Sequence, residues 1–415
     1  MNTHLLLTLP VAIPLLTLAA CALLRGHPLT QRSVSVGGSV ALLLAALALF
    51  QAVFDGTVLA TQFGAWAAPF GITFVADLLS AAMVLVTAVM AVAVSIYALV
   101  DGARERERAF FHPLYHGLLM GVCGAFLTGD LFNLYVWFEI MLISSFGLLV
   151  VGGTRAQLDA GVKYVTLNLV ATTLFLIAVG FLYGITGTLN LADLARTLPT
   201  VENQGLVTTL AVMFLLAFGS KAALFPLFFW LPAAYHTASA PVVAIFAALL
   251  TKVGVYAILR TFTLLFNGDA GFTGPIIGAV AVLTMVTGVL GAAAHYDIRR
   301  ILSFHIISQI GYMLVGLAVA TPMALAGSVL YVVHHIVVKA NLFLIAGAMR
   351  VAGGGFELKA MGGLHRSAPL LALLFAVPAL SLAGVPPLSG FWAKFMVVKS
   401  SLDAGHTVLA GVALA

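Results

Sequence analysis

The sequence predicts an all-α, polytopic membrane protein, and three observations carry that prediction. First, 62% of its 415 residues are hydrophobic and only 8% are charged, where an ordinary soluble domain carries about 25% charged residues. Second, apolar runs of about 20 residues, long enough to cross a bilayer as helices, recur along the whole chain. They lack the alternation of the roughly 10-residue strands in a transmembrane barrel. Third, the basic residues between the runs fall mostly on one side of the predicted topology.

The runs are delimited by charged, Gly-rich and Pro-rich stretches. The first covers 3–24 and ends at Arg25. LAAC at 18–21 resembles a lipoprotein cleavage box. No Lys or Arg precedes the run, however, and Arg25 follows it, which is the wrong polarity for a signal peptide. It is therefore read as a first transmembrane helix. Further spans are predicted at 33–54, 75–100, 113–128, 131–151, 162–184, 206–230, 240–263, 274–294, 302–320, 324–349 and 369–398. A thirteenth begins near 404 and reads as cut off at Ala415.

With the N-terminus outside and the spans alternating, the inside loops hold twelve of the 19 Lys and Arg residues: Arg25, Arg32, Arg104, Arg106, Arg108, Arg155, Lys163, Arg299, Arg300, Arg350, Lys359 and Arg366. The outside loops hold three, namely Arg196, Arg260 and Lys399. That asymmetry obeys the positive-inside rule and supports both the span count and an outside N-terminus. It also accounts for the formal charge of +5 without nucleic acid as a partner. The two cysteines, Cys21 and Cys123, are isolated and suggest neither a CxxC metal site nor a disulfide framework.

A weak internal duplication is visible. LFLIA occurs at 174–178 and 342–346, each late in a span that carries a Tyr-Val pair. A span interrupted by proline follows each copy, first with Pro226 and then with Pro386 and Pro387. Structural repeats of this kind are a common way to build transporters.

The residues with chemical potential are charges placed inside spans: Glu139, Lys221, Lys252, Lys339 and Lys394. Each costs about 2.5–3.5 kcal/mol at a helix centre, so the set is expected to face an internal, hydrated or paired environment. Four lysines against one carboxylate cannot all sit in static salt bridges. A nearby carboxylate favours a charged lysine, and desolvation opposes it. Moving Glu139 relative to Lys221 would therefore make the lysine take up or release a proton. The bland alternative, snorkelling to the headgroups, applies best to Lys394 and Lys252.

HHIVVK at 334–339 adds His334 and His335, with His335 and Lys339 at i and i+4 on one helix face. Histidine can relay protons near neutral pH; alternatively, each is a core histidine bonded to a carbonyl. His236, His295 and His305 lie at the inside ends of spans, where they either mark a water entrance or merely face solvent, the second being the preferred reading. Pro226 follows Lys221, while Pro386 and Pro387 precede Lys394, so each helix break would set polar backbone beside a lysine. A kink made only for packing is the alternative. There is no GxGxxG, no P-loop and no metal or haem cluster, so no cofactor is expected and the chain reads as a transporter component rather than an enzyme.

At this point the motifs resemble a family. TGDLFNLYVWFEIMLISSFGLLVVGG (128–153), FPLFFWLPAAYHTASAPVVAIFAALLTKVGVYAILR (225–260), DIRRILSFHIISQIGYM (297–313), HHIVVKANLFLIAGA (334–348) and GVPPLSGFWAKF (384–395) resemble the antiporter-like subunits shared by Mrp cation/proton antiporters and respiratory complex I. With APFGITFVADLLSA (68–81), the chain looks most like the D-type Mrp members. The resemblance implies about 14 helices, with two inverted five-helix repeats after the first three. On this chain the N-terminal segment would be 1–112, the first repeat 113–263 (helices 4–8) and the second 264–415 (helices 9–13). Helices 7 and 12 would be discontinuous.

Carried over by motif, Glu139 and Lys221 would form a coupling pair, Lys252 with His334 and His335 a bridge, and Lys394 the terminal lysine facing a neighbouring subunit. Lys339 lies in the motif with a less defined role. The implied partners are other Mrp subunits, including a homologous A-type subunit, together with protons, sodium and the lipid bilayer. The implied location is a bacterial plasma membrane. The alternatives are a pumping subunit of complex I or of a membrane-bound hydrogenase, and a non-transporting scaffold.

Overall fold

Several helices continue past the apolar runs that predict them, because helix ends are set by how their free backbone groups are satisfied as well as by hydropathy. The computed structural model describes residues 3–100 and 105–414, and side chains outside 101–109. Arg104, Arg106 and Arg108, counted above as inside charges, thus lie outside the described side chains.

In chain order the elements are α1 (Thr3–Leu23), α2 (Pro28–Val53), β1 (Leu59–Gln62), β2 (Thr73–Ala76), α3 (Leu78–Val100), α4 (Glu105–Leu127), α5 (Leu131–Val150) and α6 (Arg155–Thr186). Then come α7 (Leu191–Thr197), α8 (Gln204–Ala222), α9 (Trp230–Ala234), α10 (Ala240–Leu264), α11 (Ala270–Ala293) and α12 (Ile298–Val319). The last are α13 (Pro322–Gly353), α14 (Leu364–Ser367), α15 (Pro369–Ala383), α16 (Ser389–Asp403) and α17 (Thr407–Leu414). Among the described residues, eleven helices are long and apolar enough to cross a membrane. The chain is a multi-pass, predominantly α-helical membrane protein, as its composition predicts.

α6 shows how ends are set. The apolar run predicts 162–184, yet the helix begins at Arg155, where Thr154 and Gln157 form a reciprocal capping box. Likewise Asp130 caps α5 by accepting from the Asn133 N–H at 2.8 Å. The LFLIA-bearing helices α6 and α13 are both 32 residues long.

Two differences from the sequence reading stand out, beside one agreement. An antiparallel hairpin pairs Leu59 of β1 with Ala76 of β2, in a stretch where no strand is expected. Arg260 lies inside α10 rather than in an outside loop, because the helix continues to Leu264. The interruption at Pro226 is a full break, as the sequence reading expects, and not the packing kink that was its alternative. α8 ends at Ala222, Ala223 adopts a left-handed φ of 61°, and helix resumes only at Trp230.

The chain packs into two compact units: Met1–Phe218 with Tyr256–Gly268, and Gly219–Val255 with Asp269–Ala415. In the first, α1 packs on α2 and α4, α4 on α5, and α5 on α6. In the second, α12 packs against α11 and α13, and α13 against α15 and α16.

Candidate functional site

The second unit collects most of the charges that the sequence picks out. α13 is buried along the face carrying Tyr331, His334, His335 and Lys339. Lys339 is fully buried, and its Nζ donates to the Leu302 carbonyl of α12 at 3.3 Å. Lys252 on α10 is also fully buried and donates to the carbonyl of Ala247. Neither lysine has a carboxylate within salt-bridge distance among the described residues. Both amines are met by backbone oxygens, which accept a hydrogen bond but carry no compensating charge.

His335 lies between these lysines electrostatically: Lys252, Lys339, His334 and His305 all act on it. Lys394 acts in turn on His334 and His305. The Tyr331 ring packs on those of both His334 and His335, and the Tyr312 ring stands between Tyr331 and the Lys394 amine, so Lys252, Lys339, His335, His305, His334 and Lys394 make up one basic row. His334 Nε2, both ring nitrogens of His335 and His305 Nδ1 are buried without hydrogen-bond partners among the described residues. An unpaired buried polar atom costs about 1–3 kcal/mol, and such atoms are rare in folded proteins.

His305 is a correction. It does not merely end a span: it stands in the second turn of α12, within the row. The signal was available, since His305, Gln309 and Tyr312 recur at helical spacing on α12. Tyr331 donates to Gln309 Oε1 from α13, and the Tyr312 ring packs 5.7 Å from that of Tyr331. Elsewhere, His236 Nδ1 lies 2.9 Å from the Pro232 carbonyl, and His295 stacks on Phe304.

The two breaks are built differently. At the first, Lys221 is buried in the last turn of α8. The Phe225 N–H donates to Thr284 Oγ1 at 3.0 Å, and Trp230 Nε1 donates to the Ser220 carbonyl at 2.9 Å. Gly254 of α10 lies against this helix end: a Cβ there would stand 2.6 Å from Ala222 N. Only a glycine lets the two backbones come so close. Sequence reading passed Gly254 over because a lone Gly in an apolar helix carries no pattern. At the second break, α15 ends at Ala383 and α16 starts at Ser389, with Gly384, Pro386 and Pro387 between them. Lys394 does not extend freely from it. Its Nζ sits 4.4 Å from the centre of the Tyr312 ring, a cation–π contact.

The first unit holds Glu139 on α5, whose Oε1 is buried without a hydrogen-bond partner among the described residues. It also holds an ion pair that the sequence reading did not anticipate. Arg260 Nη2 donates to Asp77 Oδ1 at 2.8 Å and to Tyr256 Oη at 3.1 Å. Tyr256 in turn donates to the Phe126 carbonyl at 2.8 Å. Burial pushes the Asp77 carboxyl up, but the Arg260 guanidinium and Ser80 outweigh it and hold it at about 2.

Comparison with known proteins adds to this geometry. Residues 128–415 match the family described as NADH:quinone oxidoreductase/Mrp antiporter, TM. The chain is 48% identical over 410 residues to the D subunit of the Na(+)/H(+) antiporter of Alkalihalophilus pseudofirmus, covering 99% of this chain and 83% of that protein. Among solved structures, it is similar to a chain of the Mrp complex from Dietzia sp. DQ12-45-1b, with TM-score 0.94 and 38% identity, covering 100% of this chain and 77% of that one. It is also similar to a chain of respiratory complex I from Thermus thermophilus, with TM-score 0.85 and 28% identity, covering 99% and 85%.

Proposed function

The chain belongs to the NADH:quinone oxidoreductase/Mrp antiporter family, and from that premise we propose that it is the D-type, proton-translocating subunit of a multi-subunit sodium/proton antiporter. The observation that carries this reading is the buried basic row, with lysines on backbone carbonyls and histidine nitrogens unpaired among the described residues. A fixed scaffold gains nothing from burying such groups, whereas a proton path requires groups that can change charge.

In this proposal a proton reaches Lys221, whose charged form is favoured while Glu139 is its functional partner. When that partnership is lost, the lysine releases the proton, which passes along Lys252, His335 and His334 to Lys394, with Lys339 in the same row. Sodium movement elsewhere in the complex is coupled to that transfer. The breaks at Pro226 and at Pro386–Pro387 supply the polar backbone at depth. The partners are the other Mrp subunits, including the A-type one. The setting is a bacterial plasma membrane with the N-terminus outside. The family resemblance is the basis for reading two inverted five-helix repeats in a fold of about 14 helices; the equal lengths of α6 and α13, each followed later in the chain by a broken helix, fit an internal repeat.

The likeness to a complex I chain favours a second reading, a redox-driven pump component. The higher identity to the antiporter proteins weighs against it. The test is Lys221→Ala in the assembled complex. Antiport is expected to vanish while assembly, followed by co-purification, survives. Normal antiport in that variant would sink the proposal.

A further inference from the structure

Three elements meet at a pair of hydroxyls beside the second break. His334 Nδ1 on α13 lies 2.9 Å from Ser389 Oγ, at the first residue of α16. Ser389 Oγ lies 3.3 Å from Ser381 Oγ, near the end of α15. The Gly390 N–H donates to Ser381 Oγ at 3.4 Å. The approach leaves no spare room. A Cβ on Gly390 would fall 1.9 Å from the Ser381 carbonyl oxygen and 2.9 Å from His334 Nε2. Gly390 is thus the position where the chain resumes its helix against both the histidine and the end of α15.

We propose that Ser389 is a positioning residue for proton transfer. It holds the His334 ring by Nδ1, and with Ser381 it ties the break to the charge state of that ring. This rests on the proton-path reading above. The chemistry follows from what each group can donate. A neutral His334 with its proton on Nε2 accepts at Nδ1 from the Ser389 hydroxyl. When the ring takes a second proton, both nitrogens carry N–H and the imidazolium can only donate. Ser389 Oγ must then accept from Nδ1–H and turn its own hydrogen toward Ser381 Oγ. Loading the histidine therefore reverses the hydroxyl pair that clasps α15 to α16.

The charged and titratable groups around His334 are few. α16 brings Lys394, and the histidine's own helix brings Tyr331 and His335. α12 brings Tyr312, against Tyr331, and His305, which acts on His335. α15 carries no titratable side chain.

The test is antiport by the complete complex in membrane vesicles across a pH series, comparing wild type, Ser389→Ala, Ser389→Thr and His334→Ala. Ser389→Ala is expected to shift the midpoint of the pH profile by about one unit, and Ser389→Thr, which keeps the hydroxyl, to restore it. A Ser389→Ala profile that matches wild type while His334→Ala is impaired overturns the role of Ser389 alone. So does a uniform loss of rate with an unmoved midpoint, which is what a purely structural residue would give. Wild-type antiport in His334→Ala removes the histidine from the path, and the proposal falls with it. If Ser389→Ala does not assemble, Ser389→Cys, close in size and a weak donor, takes its place under the same criteria.

Discussion

Arg260 and Lys339 are both basic residues on helices of this protein, and their surroundings differ. Arg260 meets Asp77 through two nitrogens and Tyr256 through a third contact. Its charge is compensated and its donors are occupied, so it acts as a fixed clasp between α10 and the residue that precedes α3. Lys339 is more deeply buried, yet it has one carbonyl 3.3 Å away and no carboxylate among the described residues. A compensated charge stabilises one arrangement, whereas an uncompensated one in low dielectric is poised to change state.

Several substitutions would break or sharpen that contrast. The largest effect is expected from Lys339→Ala. If the lysine is a link in proton transfer, antiport by the assembled complex falls on the order of 100-fold, with co-purification of the subunits unchanged. A rate within about twofold of wild type would place Lys339 with Arg260 as a structural charge. Next is Gly254→Ala, close to Lys252 in the chain and against the end of α8. The added methyl forces a backbone shift that costs about 1–3 kcal/mol. Thermal unfolding of the complex should show the loss, with an accompanying fall in antiport because the Lys221 break is displaced. Wild-type stability would mean that the close approach is not needed.

The smallest effect on function is expected from Asp77→Asn. It leaves the Arg260 guanidinium without its carboxylate, at a cost of about 2 kcal/mol, while antiport per assembled complex stays within about twofold. The pH dependence follows the same pair. The Asp77 carboxyl is held at about 2, below the value of about 4 for an unfolded Asp. The stability from this pair is therefore fully present above about pH 4 and is lost as pH falls toward about 2. Asp77→Asn should flatten the acid limb of a stability–pH curve measured by thermal unfolding. Loss of antiport in this variant at neutral pH would mean that the clasp also serves transport.

Much of the architecture is set by local composition and so is legible without a structure. Runs of apolar residues as long as the bilayer is thick must become helices, because only helices or barrels satisfy backbone groups in lipid. Lys221, Lys252, Lys339 and Lys394 stand out because charge is rare in such runs. The prolines mark the breaks because a missing N–H is visible in the residue type itself. The family resemblance was equally legible, since long motifs in order survive as sequence.

Tertiary structure alone decided which groups meet. His305 joins the row because α12 packs on α13, and the sequence only hints at it through helical spacing. Asp77 and Arg260 are 183 residues apart, and no local pattern pairs them. Ser389 and Gly390 belong to the interruption visible in the sequence, but nothing local sets them against Ser381 and His334. Gly254 is required only because another backbone stands 2.6 Å from its missing Cβ. The reason is common to all four cases. Hydropathy and backbone chemistry act through a residue's own identity, whereas hydrogen bonds, ion pairs and close approaches depend on what the fold brings alongside it.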